Sequence, residues 1–275
     1  MTLPWGLEWM LVIELLLLGA CTGFLAGLLG IGGGMIQVPF LSLILAQRGV
    51  GAEQSLKMAI ATAMATILFT SAASVRAHHR RGAVRWDLVR SLAPGIVIGS
   101  LIASVGVFSL VKGQPLALFF AVFVGYSATQ LLIDKKPVPS RQLPGPLAQG
   151  AVASGIGFSS GWVGGGGGLS SIPYMTWCNV PIPTAVATSA ALGFPIALAN
   201  GAGYVISGWN QASPLPGSLG YLYLPALAVI AVASVVMAPL GARAAHSLNV
   251  RQLKRAFAVL LYGVALYMLW RGLRP

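Results

Sequence analysis

The chain is poor in charged residues and nearly devoid of cysteine. Only 8% of its 275 residues are charged, its acidic side chains number 5, and it has 2 cysteines. Two cysteines cannot supply a disulfide framework or a cysteine metal cluster. No polar stretch between the apolar segments is long enough for a soluble domain. From these shortages we predict neither a metal nor a cofactor, and we expect any function to lie within or across a membrane.

Apolar residues, by contrast, are abundant. They make up 56% of the chain, and the mean hydropathy is +0.82. A helix that spans a bilayer needs about 20 mostly apolar residues. The sequence therefore predicts an all-α, multi-pass membrane protein in which residues 1–275 form a single domain. Its long apolar segments lie near 7–47, 55–77, 88–109, 115–134, 147–177, 184–206, 219–241 and 253–271.

Basic residues flank these segments in short loops, and the net charge is +12. Charge of this kind sets the orientation of membrane helices, so we expect no nucleic-acid partner. The loop region 76–90 is rich in arginine, whereas its counterpart 207–220 has no basic residue. The next pair of loops shows the reverse, with Lys112 alone in one and several basic residues in 243–255. Under the positive-inside rule the two halves of the chain are inverted, with both termini outside.

A glycine-rich segment occurs twice. Residues 23–41 read GFLAGLLGIGGGMIQVPFL, and residues 157–175 read GFSSGWVGGGGGLSSIPYM. The repeat divides the chain into a first half (7–134) and a second half (147–271), joined by a cytoplasmic loop at 135–146. Inversion requires an odd number of crossings per half. Each half has three unbroken apolar segments, so its broken segment must add an even number of crossings. The broken segment either crosses twice or enters the membrane and returns as a re-entrant helix pair. We expect the re-entrant pair, with three spanning helices in each half.

The glycine breaks are candidate binding sites. Glycine runs form helix poorly and let the backbone approach a ligand closely, and irregular backbone at membrane depth is tolerated where it lines a cavity. A helix that resumes at Met35 or Leu169 would point free N–H groups at an anion. Close helix packing is the alternative, and we assign it to Gly23, Gly27, Gly157 and Gly161. The predicted substrate-binding residues are Gly32, Gly33, Gly34, Met35, Gln37, Thr62, Gly166, Gly167, Gly168, Ser170, Ser171 and Thr188.

Two of these residues belong to a second repeated element. Residues 59–63 (AIATA) match residues 185–189 (AVATS), so Thr62 and Thr188 either face one cavity or bond back to their own helices. Glu14 lies inside the first apolar segment and Lys57 opens the second, whereas all other charges sit near loops. These two residues are the candidates for coupling. Glu14 either relays protons or lies at the interface. Lys57 either attracts an anion or extends toward the interface.

These elements resemble the TauE/SafE sulfite exporter family over residues 11–271. The resemblance is carried by the doubled glycine element, the Ala-Thr element and the His-x-x-x-Gly-x-Val-x-Trp loop from His78 to Trp86. It implies an anion permease of the bacterial inner membrane, moving sulfite, a sulfonate such as sulfoacetate, or a related organosulfur anion by alternating access. Ala63 departs from the family's usual serine, and the second half lacks the loop.

Other readings of the sequence differ in how well they fit. Residues 157–161 match the Gly-x-Ser-x-Gly pattern of hydrolases, but that pattern needs a soluble sheet, and the first copy has Leu25 in place of the serine; we therefore predict no enzyme. A passive anion channel is the alternative function. The coupling ion stays open between H⁺ and Na⁺, as do the direction of transport and the formation of a homo-oligomer.

Overall fold

The computed structural model describes residues 2–3, 7–29, 33–108, 110–133, 142–211, 215–244 and 250–273. Most of the predicted connecting loop 135–146 lies outside these ranges. Within them the chain forms ten α-helices, two per broken apolar segment and one per unbroken segment. The helices are α1 (Trp9–Leu29), α2 (Gly34–Gln47), α3 (Ala52–Arg80), α4 (Trp86–Leu101), α5 (Gly113–Ile133), α6 (Pro146–Val163), α7 (Gly168–Trp177), α8 (Ile182–Gly208), α9 (Leu224–Ala244) and α10 (Val250–Leu273).

Seven of the described helices are long and apolar enough to cross a membrane, which confirms the all-α membrane class. They are α1, α3, α4 with its π-helical extension Ile102–Val107, α5, α8, α9 and α10. Two short antiparallel hairpins complete the described elements. Strand β1 (Thr2–Leu3) pairs with β2 (Leu7–Glu8), and β3 (Ser218–Leu219) pairs with β4 (Leu222–Tyr223) just before α9.

Glycines let α1 pack closely along α9. A Cβ added to Gly23 would lie 2.4 Å from the Cα of Ser234, and one added to Gly27 would lie 1.9 Å from the carbonyl oxygen of Ala238. Any larger side chain would push the two backbones apart, since these contacts are to main-chain atoms. The packing role predicted for Gly23 and Gly27 is therefore confirmed.

The matching glycines of α6 pack in the same manner, against α4 and α8. A Cβ on Gly157 would lie 2.2 Å from the carbonyl oxygen of Ile96, and one on Gly161 would lie 2.4 Å from Oδ1 of Asn200. This confirms the packing role predicted for Gly157 and Gly161. The pairs α1–α9 and α6–α4 each join a helix of one half to a helix of the other, and they occupy matching places in the repeat.

Helices α5 and α10, which match in the repeat, run antiparallel where they meet. Thr129 of α5 bonds Tyr262 of α10 at 2.7 Å, while the far end of α10 meets the near end of α5, with an added Cβ on Gly272 lying 3.1 Å from Leu118. Helices α3 and α8 pack together at the centre of the molecule. There Gly193 of α8 faces Ser71 of α3, and a Cβ added to that glycine would lie 3.3 Å from the serine.

Candidate binding site at the two glycine breaks

The two glycine breaks contact each other in the buried centre of the molecule. A Cβ added to Gly34, the first residue of α2, would lie 1.9 Å from the carbonyl oxygen of Gly164, at the end of α6. A Cβ on Gly164 would in turn lie 2.9 Å from Val38 of α2. The breaks therefore meet as backbone against backbone. Gly32, one of the predicted binding residues, lies outside the described residues.

Left-handed backbone at both ends of the second break requires glycine there. Gly164 ends α6 with φ +67°, and its N–H donates to the carbonyl of Ser160 at 3.0 Å. Gly167 precedes α7 with φ +74°. Side chains rarely adopt these angles without strain. Two reversals of the backbone within four residues allow α7 to start immediately after α6 ends.

Both helices that follow the breaks begin without a side-chain cap. Gly33 is the N-cap of α2 and Gly167 is the N-cap of α7, and neither helix start has a side-chain capping hydrogen bond. The carbonyl of Gly33 accepts bonds from the N–H groups of Ile36 and Gln37, at 3.2 and 3.0 Å. The N–H groups of the first helical residues have no partner within the helix and carry partial positive charge. Such helix starts can bind an anion.

A small cavity lies beside the second break. Its volume is about 10 Å³, enough for about one water molecule. Five of the predicted binding residues are among those that line it. The lining residues outside the predicted binding set are Phe123, Ser160, Val163, Gly165 and Leu169, of which Phe123 lies on the unbroken helix α5. All the described lining residues are uncharged; they are Met35, Phe123, Ser160, Val163, Gly165, Gly166, Gly167, Gly168, Leu169 and Ser170.

Gln37 and Ser171 occupy matching places in the repeat, and both are buried. Nε2 of Gln37 donates a hydrogen bond of 3.1 Å to Oγ1 of Thr66, which connects α2 to α3. The hydroxyls of Ser171 and Ser189 are 2.7 Å apart, which connects α7 to α8. Each side chain predicted to contact substrate thus bonds the long helix that follows it. The sequence did not single out Thr66 or Ser189 as their partners.

Thr62 and Thr188 each bond a backbone amide that belongs to the other half of the chain. Oγ1 of Thr62 accepts a 3.1 Å bond from the N–H of Tyr223, the residue before α9. Oγ1 of Thr188 accepts a 3.1 Å bond from the N–H of Arg85, the residue before α4. Both threonines are fully buried. The two threonines therefore satisfy amide groups at the starts of matching helices, a role that neither sequence-based alternative included.

Glu14 and Lys57 both form ion pairs. Oε2 of Glu14 lies 3.7 Å from Nη2 of Arg48. The other terminal nitrogen of Arg48 pairs with Glu8. The Lys57 side chain is only 5% exposed; Nζ lies 2.8 Å from a carboxylate oxygen of Glu53 and 5.8 Å from the ring centre of Tyr221. Arg48 follows the end of α2 while Glu8 precedes α1. The start of α1 and the end of α2 therefore lie at the same end of the molecule.

Comparisons with known proteins identify a family and several relatives described as membrane transporters. The family model described as "Sulfite exporter TauE/SafE" matches residues 15–268. A "Probable membrane transporter protein" of Haemophilus influenzae is 36% identical over 261 residues, covering 94% of this chain and 97% of the relative. A protein of Methanocaldococcus jannaschii with the same description is 25% identical over 269 residues, covering 95% of this chain and 97% of the relative. Bacillus subtilis YunE, also described as a probable membrane transporter, is 25% identical over 234 residues, covering 75% and 84%. No solved structure matches the chain significantly.

Proposed function

The chain belongs to the sulfite exporter TauE/SafE family, and on that basis we propose that it is a secondary transporter for a small sulfur-containing anion. The substrate class comprises sulfite, sulfonates such as sulfoacetate, and related organosulfur anions. Transport proceeds by alternating access across a bacterial inner membrane, with both termini outside. The observation that carries this proposal is the meeting of two glycine-capped helix starts at a small uncharged cavity.

The substrate is held mainly by backbone groups. Burial of an anion in an apolar protein is costly unless donors replace its hydration. The described residues that line the cavity are uncharged, so the donors nearest to it are the N–H groups at the start of α7 and the hydroxyl of Ser170. The start of α2 contributes its N–H groups from the opposite break, beside Met35, which also lines the cavity. Helix dipoles add attraction for negative charge at both starts.

The two halves act as inverted copies that rock about this site. The antiparallel contact of α5 with α10 supports the inversion, as do the matching cross-half pairs α1–α9 and α6–α4. The return of α2 to the end where α1 begins supports a re-entrant pair in the first half, because the broken segment then adds no net crossing. By the repeat we propose the same arrangement in the second half. Inverted repeats with broken helices suit alternating access.

The small cavity favours a transporter over a passive channel. With room for about one water molecule, this conformation offers no open path for an anion of several atoms at that place. We therefore propose that the helices around the cavity move when an anion passes. Export needs no coupled ion, since the membrane potential favours outward movement of one negative charge by about 2.3 kcal/mol per 100 mV. Uptake would need H⁺ or Na⁺, for which Glu14 and Lys57 stay the candidate groups.

A proteoliposome assay tests the proposal. Sulfite, sulfoacetate, thiosulfate, sulfate and chloride are compared in the presence and absence of H⁺, Na⁺ and potential gradients. We expect saturable movement of at least one sulfur anion, with competition from the others of that class. If chloride alone moves, and does so without saturation, the protein is a channel. If no sulfur anion moves or competes, the proposed substrate class is wrong.

Two matched alanine variants test the site. Gly165 lines the cavity and Gly155 lies exposed on α6, and at both positions an added Cβ would meet no atom within 4 Å. Gly165→Ala should reduce transport several-fold because its methyl group takes up much of the small cavity, whereas Gly155→Ala should transport normally. Larger changes at Gly33 or Gly167 are less informative, since an added Cβ would already lie within 2.7 Å of Thr22 or Ile196. Equal transport by the two alanine variants would remove the second break from the site.

A further inference from the structure

The cytoplasmic end predicted for α3 carries an exposed face that changes from apolar to basic. Phe69, Ala72, Ala73, Arg76 and Arg80 are all exposed. Their spacing of three and four residues places them on one side of the helix. The Phe69 side chain is 48% exposed, while the alanines next to it are small. This face offers an apolar surface for a hydrocarbon chain and, one to three turns further along, two arginines one helical turn apart.

The length of α3 places these arginines at the membrane surface. The helix has 29 residues and is therefore about 43 Å long, whereas the hydrocarbon core of a bilayer is about 30 Å thick. Its last turns extend into the head-group region. Trp86 supports this depth: its ring is 40% exposed, and its indole N–H donates a 3.1 Å bond to His79, between the two arginines in the sequence. Tryptophan is enriched at that level of a membrane.

Arg76 and Arg80 have no side-chain partner among the described residues, in contrast to four other basic residues. Arg48, Lys57 and Arg85 pair with carboxylates, and Arg271 donates hydrogen bonds to the hydroxyls of Ser42 and Ser55. Asp87, which pairs with Arg85, raises the pKa of that guanidinium through their hydrogen bond. The side chains of Arg76, Arg80, Arg81 and Arg90 form no hydrogen bond or ion pair with a described residue.

The basic end of this face has no counterpart on α8, the matching helix of the second half. The positions of α8 that match Ala72, Arg76 and Arg80 through the Thr62–Thr188 repeat are Leu198, Ala202 and Ile206, which are exposed and apolar. An exposed helix surface at this place in the fold can therefore be apolar throughout, and the fold itself does not require the arginines of α3. Residues 76–90 contain five arginines and no lysine. Arginine binds phosphate through two parallel N–H···O bonds, whereas lysine binds it as a point charge.

From these observations we infer that Arg76 and Arg80 bind the phosphate head group of an anionic membrane phospholipid, whose acyl chain lies along Phe69, Ala72 and Ala73. Arg81 and Arg90 add positive charge near the same loop. This inference is independent of the transported substrate, because the face is on the outside of α3 and contains none of the cavity-lining residues. The lipid would hold the end of α3 at a fixed depth.

Titration with phosphatidylglycerol and phosphatidylcholine tests the site. Lipid bound to the purified full-length protein is counted by native mass spectrometry. We expect phosphatidylglycerol to bind the wild type in preference to phosphatidylcholine. The double variant Arg76→Gln/Arg80→Gln should lose about fivefold in affinity per arginine, or roughly 25-fold in all. The control variant Arg255→Gln, at an exposed arginine near the start of α10, should bind as the wild type does.

A lysine variant and a competition experiment distinguish a specific head-group site from attraction by general surface charge. The variant Arg76→Lys/Arg80→Lys keeps the charge, and so the membrane orientation, but loses the paired bonds to phosphate; it should bind several-fold more weakly than wild type. Binding equal to wild type by this variant, or an equal loss in Arg255→Gln, would overturn the inference. Displacement of the lipid by millimolar inorganic phosphate would also overturn it, since the site would then recognise phosphate alone. Circular dichroism of each variant verifies that it is folded.

Discussion

Substitution of Gly34 by alanine should destabilise the protein strongly, because the two breaks contact each other through main-chain atoms. The new Cβ would lie 1.9 Å from the carbonyl oxygen of Gly164, whereas ordinary contacts begin at 3.4 Å. The start of α2 and the end of α6 would have to separate by about 1.5 Å. Overpacking of this kind costs about 3 kcal/mol, and the better helix propensity of alanine returns up to about 1 kcal/mol. We expect a net loss of at least about 2 kcal/mol in the free energy of unfolding.

The assay is reversible unfolding of the purified protein in mixed micelles, followed by circular dichroism. Gly165→Ala is the matched control: it adds the same methyl group to the neighbouring break, where an added Cβ meets no atom within 4 Å and φ is not positive. Its free energy of unfolding should stay within about 0.5 kcal/mol of wild type. If Gly34→Ala unfolds as the wild type does, the breaks do not touch and the site at their junction is wrong.

Three further predictions concern polar groups. Thr62→Val should lower the free energy of unfolding by about 1 kcal/mol, because the backbone N–H at the start of α9 loses its acceptor; the same titration measures it, and no change would mean that the amide has another partner. In a double-mutant cycle, Ser171→Ala and Ser189→Ala should be coupled by about 0.6 kcal/mol, whereas strict additivity would contradict their hydrogen bond. Glu14→Gln should cost under about 1 kcal/mol, since its pair with Arg48 spans 3.7 Å and is partly exposed. Proton flux measured in proteoliposomes with this variant would then report coupling without interference from misfolding.

Much of the fold could be predicted from the sequence, because a membrane restricts the backbone to helices wherever it meets lipid. Each apolar segment contains one helix, or two where glycines interrupt it. The packing role of Gly23 and Gly27 was also predictable, since their four-residue spacing places both on one helix face. The partner helix was not: that α1 packs along α9 depends on tertiary contacts between distant parts of the chain.

The site was predictable for the backbone and less so for the side chains. Met35 and Ser170 line the cavity because they follow the breaks directly, and position in the chain fixes position in space over a few residues. Gln37 lies only two residues beyond Met35, yet its amide bonds Thr66; the direction of a side chain depends on which helix packs against it. Phe123 reaches the cavity from an unbroken helix, where no local pattern distinguishes it.

The hydrogen bonds of Thr62 and Thr188 have a consequence for how the chain is assembled during synthesis. The amide before α4 is made early, but its acceptor on α8 is made only with the second half. The glycine face of α1 likewise waits for α9. A first half emerging from the ribosome can insert its helices, but it lacks the surfaces that cover them. The finished structure forms only when the last helices arrive, so the two halves depend on each other to fold.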